Sequence, residues 1–288
     1  MINLILSSII KLIPYIFKFH SPNSFLFKNL RILIKFLVEK YKFKNNKEIC
    51  FFPYNHKGCL KWPLKQFGNL DSYCYFELQE MILHLYYYVN RKYYNFAIDF
   101  GTNIGIDSIV LASFDIDTYG YEPDKELLKF ANKAKEINKI KNLKLFPYGI
   151  LDKNQTKKFI KVLNNLNASH VKGARSFYGK HKEINCKFKK FKNMNIKKSP
   201  NLMKINIEGS EGKVVSTIPL KIWKTCDVFI EVHDKNNRRI LWKYFNKNKL
   251  NVFSQKNNWK ISKNLNDLPL SNKEGYIFVS SKNKMKWI

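Results

Sequence analysis

The stretch AIDFGTNIG at residues 97–105 constrains the fold most strongly, because it places an acid and two glycines at the end of an apolar run. The run NFAIDF has the length of a buried strand, and NIGIDSIVLASF after it has apolar residues at helical spacing. The segments DIDTYGYEP and KNLKLFPYGI predict two more strands, and the helix between them begins after Pro123 and Asp124. Residues 95–150 therefore alternate between strand and helix, which predicts a parallel sheet with right-handed crossovers.

Two later apolar runs continue this pattern and also end in polar residues. NLMKINIEGSEG predicts a strand to about Ile207 that stops on Glu208, and CDVFIEVHD predicts a strand that ends in Glu231 and His233. Because the carboxyl ends of parallel strands share one edge of a sheet, these side chains are expected to converge where open α/β sheets bind ligands. Residues 151–200 fit an insertion better than a regular βαβ unit.

The glycine loop and the acid after the next strand indicate the kind of ligand. Gly101 allows a sharp turn at the strand end, and Gly105 is expected to let the following helix approach the sheet. Glu122 ends the second strand, where a carboxylate can accept hydrogen bonds from both hydroxyls of a ribose. The pattern thus predicts a cofactor that contains adenosine. The alternative is an α/β fold in which the glycines serve only as turn residues.

The composition of the loop favours S-adenosylmethionine over a dinucleotide. The loop lacks the middle glycine of GxGxxG, which lets a backbone approach a pyrophosphate, and it has Thr102 and Asn103 in that region. An acid at the first strand end, Asp99, suits a cationic group better than a phosphate. S-adenosylmethionine carries a ribose, an ammonium and a sulfonium but no phosphate. We therefore assign Asp99, Gly101, Asn103 and Gly105 to its methionine end.

Four motifs together resemble the FkbM family of S-adenosylmethionine-dependent methyltransferases. They are AIDFGTNIG, YGYEPD, LMKINIEGSE and FIEVH, in the order and at the spacing of that family over roughly residues 76–235. The resemblance implies an α/β, Rossmann-like class I methyltransferase fold over residues 71–288, with a mostly parallel seven-stranded sheet and GYIFVS as an antiparallel closing strand. Residues 1–70 are expected to form a helical, basic extension. Two positions depart from the family pattern, because Thr102 replaces an alanine and Asn206 replaces an aspartate.

The resemblance implies methyl transfer to an oxygen, commonly on a sugar, a glycan or another small acceptor. A hydroxyl has a high pKa, so a base within hydrogen-bond reach helps as the new bond forms. His233 is the predicted base, because histidine titrates near neutral pH, and Glu208 is predicted to hold the acceptor or the base. Asn206 completes the predicted catalytic set. If its position must carry a charge, catalysis is slow or lost, and if it only orients a hydroxyl, asparagine suffices.

The other predicted cofactor contacts lie around the second and third strands. Glu122 is assigned to the ribose hydroxyls and Pro123 to the turn after it. Asp152, after the third strand, is predicted to bind the adenine amino group, with a simple turn residue as the alternative. The family resemblance also suggests that an acid of the preceding helix, Glu77 or Glu80, closes over the cofactor. The five scattered cysteines include no CxxC pair, and no metal is predicted.

The formal net charge of +30 favours an anionic partner such as nucleic acid, an acidic glycan or an anionic membrane. Only five of the 52 basic residues are arginines, however. Nucleic-acid readers usually rely on arginine, so codon bias toward A and T is an alternative explanation of the charge. An RNA methyltransferase stays an alternative function, although nucleic acid is not favoured without an NPPY-like segment or an added RNA-binding module. A cofactor-binding module that has lost catalysis through Asn206 is a further alternative.

The first 45 residues contain two apolar segments with interspersed basic residues, MINLILSSIIKLIPYIF and LRILIKFLVEKYKFK. The first is interrupted by Lys11 and Pro14, is short for a membrane span, and has no signal cleavage site after it. Residues 1–45 could lie on an anionic membrane surface as basic amphipathic helices, or pack on the main domain. The cysteine pattern predicts a cytoplasmic location, with peripheral contact at the inner face of the membrane as an option.

Overall fold

The computed structural model describes residues 12–40, 48–51, 60–63, 78–163, 165–176 and 179–287. Residues 12–17 are helical. The other α-helices are α1 (Phe25–Lys40), α2 (Leu78–Asn90), α3 (Ile106–Ser113), α4 (Lys125–Ile137), α5 (Glu211–Val214), α6 (Leu220–Thr225) and α7 (Lys235–Lys247). The strands are β1 (Glu48–Phe51), β2 (Leu60–Pro63), β3 (Phe96–Phe100), β4 (Asp117–Tyr121), β5 (Leu143–Phe146), β6 (Gly149–Ile150), β7 (Gln155–Val162), β8 (His170–Val171), β9 (His181–Lys189), β10 (Leu202–Ile205), β11 (Asp227–Glu231), β12 (Asn251–Ser254), β13 (Lys260–Ile261) and β14 (Tyr276–Ser280).

The main sheet has the strand order β13-β12-β14-β11-β10-β3-β4-β5. Strands β11, β10, β3, β4 and β5 run parallel, and β14 is antiparallel to both β11 and β12. This order confirms the predicted α/β, Rossmann-like fold with a mostly parallel sheet, and GYIFVS is its antiparallel strand. The prediction of seven strands is wrong for the described part of the chain, because the two-residue β13 pairs with the outer edge of β12 and makes eight.

Alternate residues of the central strands face two separate hydrophobic clusters. Along β3, Ala97 packs in the cluster that includes helices α2, α3 and α4. Phe96, Ile98 and Phe100 pack in the cluster that includes α6 and α7. Helices therefore cover both faces of the sheet, which explains why every residue of β3, β10, β11 and β14 is buried.

The insertion forms a second sheet with the order β6-β9-β7-β8. Strands β7 and β9 pair antiparallel, from Gln155 opposite Phe188 to Val162 opposite His181. The regular βαβ alternation stops here, as the sequence predicts. Arg175 lies in the segment between β8 and β9 and reaches the site described below.

The N-terminal elements pack on the rest of the chain. The Asn23 amide donates a hydrogen bond to the Glu274 carboxylate (Nδ2 to Oε1, 3.3 Å). Strands β1 and β2 form a hairpin, and the buried indole of Trp62 donates to the Ile104 carbonyl oxygen (3.3 Å). The predicted boundary between residues 70 and 71 lies outside the described residues. Among those that are described, no helix combines the length and the apolar character needed to cross a bilayer.

Candidate functional site

A cavity of about 460 Å³ opens at the carboxyl edge of the main sheet. This volume lies within the range of pockets that enclose small ligands. Helices α1 and α2 and the insertion supply parts of its wall. The residues that line it from successive strand ends are Gly149, Ile150, Glu122, Pro123, Gly101, Thr102, Asn103, Ile104, Asn206, Ile207, Glu208 and Glu231.

The loop after β3 depends on glycine at position 101. Gly101 has a φ of +82°, and a Cβ there would lie 1.7 Å from the Asn206 carbonyl oxygen. Its N–H donates to the Tyr121 carbonyl oxygen (3.1 Å), so the loop is fixed against the ends of both β4 and β10. Gly105 has a different role from the predicted one. A Cβ there would lie 3.0 Å from the Ala131 Cβ, so Gly105 lets α3 approach α4 rather than the sheet.

Glu122, for which the sequence predicts a role in binding ribose, lies at the cavity wall. Its carboxylate lines the cavity, and both oxygens are fixed by backbone N–H groups: Oε2 accepts from Asn103 and Oε1 from Asp124, each at 2.9 Å. Each carboxylate oxygen has a second lone pair that a ligand hydroxyl can use. Burial raises the pKa of Glu122 to about 8. Pro123 lines the same wall.

The pKa of Glu122 makes stability depend on pH in a definite direction. Its ordinary value is 4.5, so folding takes up a proton between 4.5 and about 8. The stability that this proton provides is complete below the unfolded pKa and is lost as the pH rises through the folded pKa. We therefore expect the free energy of unfolding to decrease from about pH 5 to about pH 8, and to decrease less steeply in Glu122→Gln. Urea titrations at several pH values measure both slopes, and equal slopes would contradict the assignment.

Asp99 lies beneath the cavity rather than at its surface. It accepts a hydrogen bond from the Ser108 hydroxyl (2.6 Å), and its Oδ1 lies 3.9 Å from the Nζ of Lys204, its direct neighbour on β10. Lys204 Nζ lies 2.8 Å from Asp107 Oδ2, and His84 Nε2 lies 3.2 Å from Asp107 Oδ1. Burial raises the pKa of Asp99, whereas Lys204 and His84 outweigh burial and hold the pKa of Asp107 below its usual range. This buried cluster fixes β3, β10, α2 and α3 under the glycine loop.

Helix α2 contributes one of the two acids that the resemblance suggests. Glu80 lines the cavity and accepts a hydrogen bond from the Tyr276 hydroxyl, whereas Glu77 lies outside the described residues. Burial, reinforced by Asp107, raises the pKa of Glu80 to about 8. Sequence reasoning did not assign Lys204 to the site. Its signal was a lysine inside the apolar run NLMKINI, where a buried charge requires a partner.

The predicted catalytic residues come together at the ends of β10 and β11. Asn206 lines the cavity, and its Oδ1 has no hydrogen-bond partner within the described part of the chain. Glu208 has a φ of +51°, binds the guanidinium of Arg175, and places Oε2 3.3 Å from His233 Nε2. Glu231 Oε2 lies 3.2 Å from the same nitrogen. Two acids that line the cavity therefore share one histidine behind them.

His233 is not itself part of the cavity wall. Its side chain is 2% exposed, and its Nδ1 lies 3.1 Å from Glu211 Oε1. Burial alone would lower the pKa of His233, but Glu208, Glu211 and Glu231 outweigh it and hold the pKa well above its usual range. Burial alone would likewise raise the pKa of Glu208, but His233 and Arg175 hold it below its usual range. At neutral pH the cluster thus contains an imidazolium and an ionised Glu208.

Besides Asp99, two predicted cofactor residues are not part of the cavity wall. Gly105 lies at the start of α3, behind the loop. Asp152 lies in the turn between β6 and β7, and Gly149 and Ile150 line the cavity from that part of the chain.

No protein-family model matches the chain, and no curated protein matches it either. Among solved structures, it is similar to an rRNA methylase from Streptococcus thermophilus, with 10% identity, 68% of this chain and 93% of that chain covered, and a TM-score of 0.41. It is similar to a precorrin-6y methyltransferase from Geobacter metallireducens (8% identity, 64% and 77% covered, TM-score 0.37). A tRNA methyltransferase from Aquifex aeolicus is also similar (13% identity, 67% and 66% covered, TM-score 0.35).

Proposed function

We propose that this chain is an S-adenosylmethionine-dependent methyltransferase that O-methylates a hydroxyl of a sugar, a glycan or a related small acceptor. The observation that carries the proposal is the convergence of Glu122, Asn206 and Glu208 on one cavity at the carboxyl edge of the parallel strands. Ligands bind at this edge in open α/β sheets. The FkbM resemblance supports the choice of an oxygen acceptor.

The residues on the β3 and β4 side fit S-adenosylmethionine. Glu122 leaves one position on each carboxyl oxygen for the two ribose hydroxyls, a lone pair on one oxygen and, while the group is protonated, an O–H donor on the other. Gly101 and Asn103 line the cavity on this side, where the methionine end is proposed to bind. Asp99 supports this loop from below through Ser108 instead of touching the ligand. When bound, S-adenosylmethionine supplies a methyl group that its sulfonium has already activated.

The residues on the β10 and β11 side fit a hydroxyl acceptor. Glu208 is ionised, faces the cavity, and is placed to accept the hydrogen bond of the hydroxyl and to take its proton. Asn206 Oδ1, which lacks a protein partner in the described residues, can accept a hydrogen bond from a second donor group of the acceptor, because the reacting hydroxyl has only one proton to donate. His233 acts as a positioning residue, because its positive charge holds Glu208 and Glu231 at the cavity wall. The proton acceptor in this proposal is therefore Glu208, and His233 acts through it.

Transfer of label from methyl-labelled S-adenosylmethionine tests the function. Purified protein is incubated with separate glycan, lipid, small-molecule and RNA fractions, and we expect label in an ether linkage outside the RNA fraction. Label only in RNA would support the RNA methyltransferase alternative. Cofactor binding without transfer to any fraction would indicate a binding module. The side chains of Glu208, Glu231 and His233 are of types that bind metal ions, and their ligand atoms lie within 4.8 Å of one another. Each assay is therefore run both with and without the chelator EDTA.

Glu122→Gln is expected to raise the Kd for S-adenosylhomocysteine roughly 30-fold, because a buried donor or acceptor that is left without a partner costs about 1–3 kcal/mol. The glutamine NH₂ would also face a backbone N–H of Asn103 or Asp124. Isothermal titration calorimetry measures the change. Glu126→Gln, an exposed carboxylate in the next helix, is the matched control and should bind as the wild type does. Equal affinity in both variants would remove Glu122 from the cofactor site.

A further inference from the structure

Helix α1 presents an apolar face to solvent, opposite the face that packs on the domain. Phe27 is buried in the hydrophobic core. Phe25 is 81% exposed, Leu26 57%, Ile32 66% and Leu33 49%. At 100° per residue, these four side chains form one stripe on the helix, and Phe27 points away from it. The contact with the domain therefore leaves this stripe uncovered.

The segment before α1 exposes further large apolar side chains. Seven of the twelve large hydrophobic side chains that are exposed in the described residues lie between positions 12 and 33. Exposed apolar side chains that cluster in this way mark an interaction surface, whereas single ones are ordinary. We call this set the N-terminal apolar face; it consists of Leu12, Ile16, Phe19, Phe25, Leu26, Ile32 and Leu33.

The charge around the face favours an anionic bilayer as its occupant. Residues 12–33 contain Lys18, Lys28 and Arg31 and no acid. A second copy of this chain would bring like charges together in a protein of net charge +30. Helices with Leu, Ile and Phe on one face and lysines beside it lie in the headgroup region of anionic membranes.

The same helix also forms part of the cavity wall. Arg31 lines the cavity, and so do Asn272 and Lys273. The hydrogen bond from Asn23 to Glu274 ties the N-terminal segment to this second rim segment. One side of helix α1 therefore carries the N-terminal apolar face and the other side borders the cavity, whose rim has two cationic side chains.

We propose that the N-terminal apolar face docks on a bilayer with anionic headgroups and presents the cavity to it, so that the acceptor hydroxyl belongs to an anionic amphiphile. Arg31 and Lys273 then contact the anionic headgroup of the acceptor while Glu208 contacts its hydroxyl. The acceptor part of this inference rests on the proposed methyltransferase function. The docking part does not.

Flotation with vesicles tests the docking part without cofactor or acceptor. Wild-type protein is expected to bind vesicles of phosphatidylcholine mixed with phosphatidylglycerol and not vesicles of phosphatidylcholine alone. A variant with serine at Phe25, Leu26, Ile32 and Leu33 is expected to bind the anionic vesicles at least about ten-fold more weakly than the wild type does. The matched control places serine at four exposed apolar residues elsewhere, and it should bind as the wild type does; these are Tyr93, Leu163, Ile240 and Ile261.

Equal binding by the two serine variants, or no binding by the wild type, would overturn the docking. A change from dimer to monomer in the first serine variant, with vesicle binding retained, would also overturn the docking, because the occupant of the face would then be a second copy.

The acceptor part is tested with methyl-labelled S-adenosylmethionine and the variant Arg31→Gln. We expect label in the amphiphile fraction and about ten-fold less label with the variant at unchanged affinity for S-adenosylhomocysteine. Label confined to water-soluble acceptors would overturn the acceptor part. Absence of label everywhere would refute the proposed function and leave the vesicle result standing.

Discussion

Glu208→Gln is expected to lower kcat about a thousand-fold and to leave the Kd for S-adenosylhomocysteine within about two-fold. Glutamine keeps the shape of the side chain and can still accept a hydrogen bond from the acceptor hydroxyl, but it cannot take the proton. Cofactor affinity stays because Glu208 follows β10, whereas the ribose site at Glu122 follows β4. Single-turnover transfer from labelled cofactor measures kcat, and calorimetry measures Kd.

The pH profile of kcat decides whether Glu208 or His233 takes the proton. The pKa of Glu208 lies below its usual range, so it is already ionised at neutral pH and kcat should be flat from about pH 6 to pH 9. The pKa of His233 lies well above its usual range, so a base at His233 would make kcat rise with pH as the imidazolium loses its proton. A rising profile, or full activity of Glu208→Gln, would return the role of base to His233. Glu126→Gln, which removes an exposed carboxylate, should retain wild-type kcat and is the control.

The main sheet was predictable because its strands carry local signals. Strands β3, β10 and β11 are mostly apolar runs with an acid or a glycine at their end or within three residues after it, and their pairing follows from the handedness of βαβ units. Strand β13 carries no such signal, because Lys260 and Ile261 are both exposed and form only an edge pair. The second sheet also escaped prediction. Its strands β7 and β9 are rich in lysine, and their pairing depends on a contact across the insertion.

The candidate site was predictable at strand ends and not beneath them. Glu122 and Glu208 line the cavity because a residue that follows a parallel strand must lie at its carboxyl edge. The buried position of His233 behind the cavity wall could not be predicted. Its ring lies between three acids, and one of them, Glu211, belongs to a separate helix. The contact of Gly105 with α4 likewise depends on how two helices pack. Spacing along the chain carries no information on such packing distances.

Gly101→Ala is expected to lower the free energy of unfolding by about 2–5 kcal/mol and to abolish detectable binding of S-adenosylhomocysteine. The new methyl group would lie 1.7 Å from the Asn206 carbonyl oxygen, a contact that only backbone movement can relieve. Overpacking costs about 1–3 kcal/mol and occasionally more, and a non-glycine residue at positive φ costs about 1–2 kcal/mol in addition. The movement would separate the β3 loop from Asn206, so it would distort both halves of the cavity. Urea denaturation and calorimetry measure the two effects.

Gly173→Ala separates the clash from the backbone strain. Gly173 has the same φ of +82°, but a Cβ there would meet no atom within 4 Å. This variant therefore carries the strain alone and should lose only about 1–2 kcal/mol, with cofactor affinity unchanged. The difference between the two variants isolates the contact between the β3 loop and the end of β10. Equal losses in the free energy of unfolding would show that the β3 loop can move away from Asn206 without further loss of stability. The cavity would then not depend on the fit between these two strand ends.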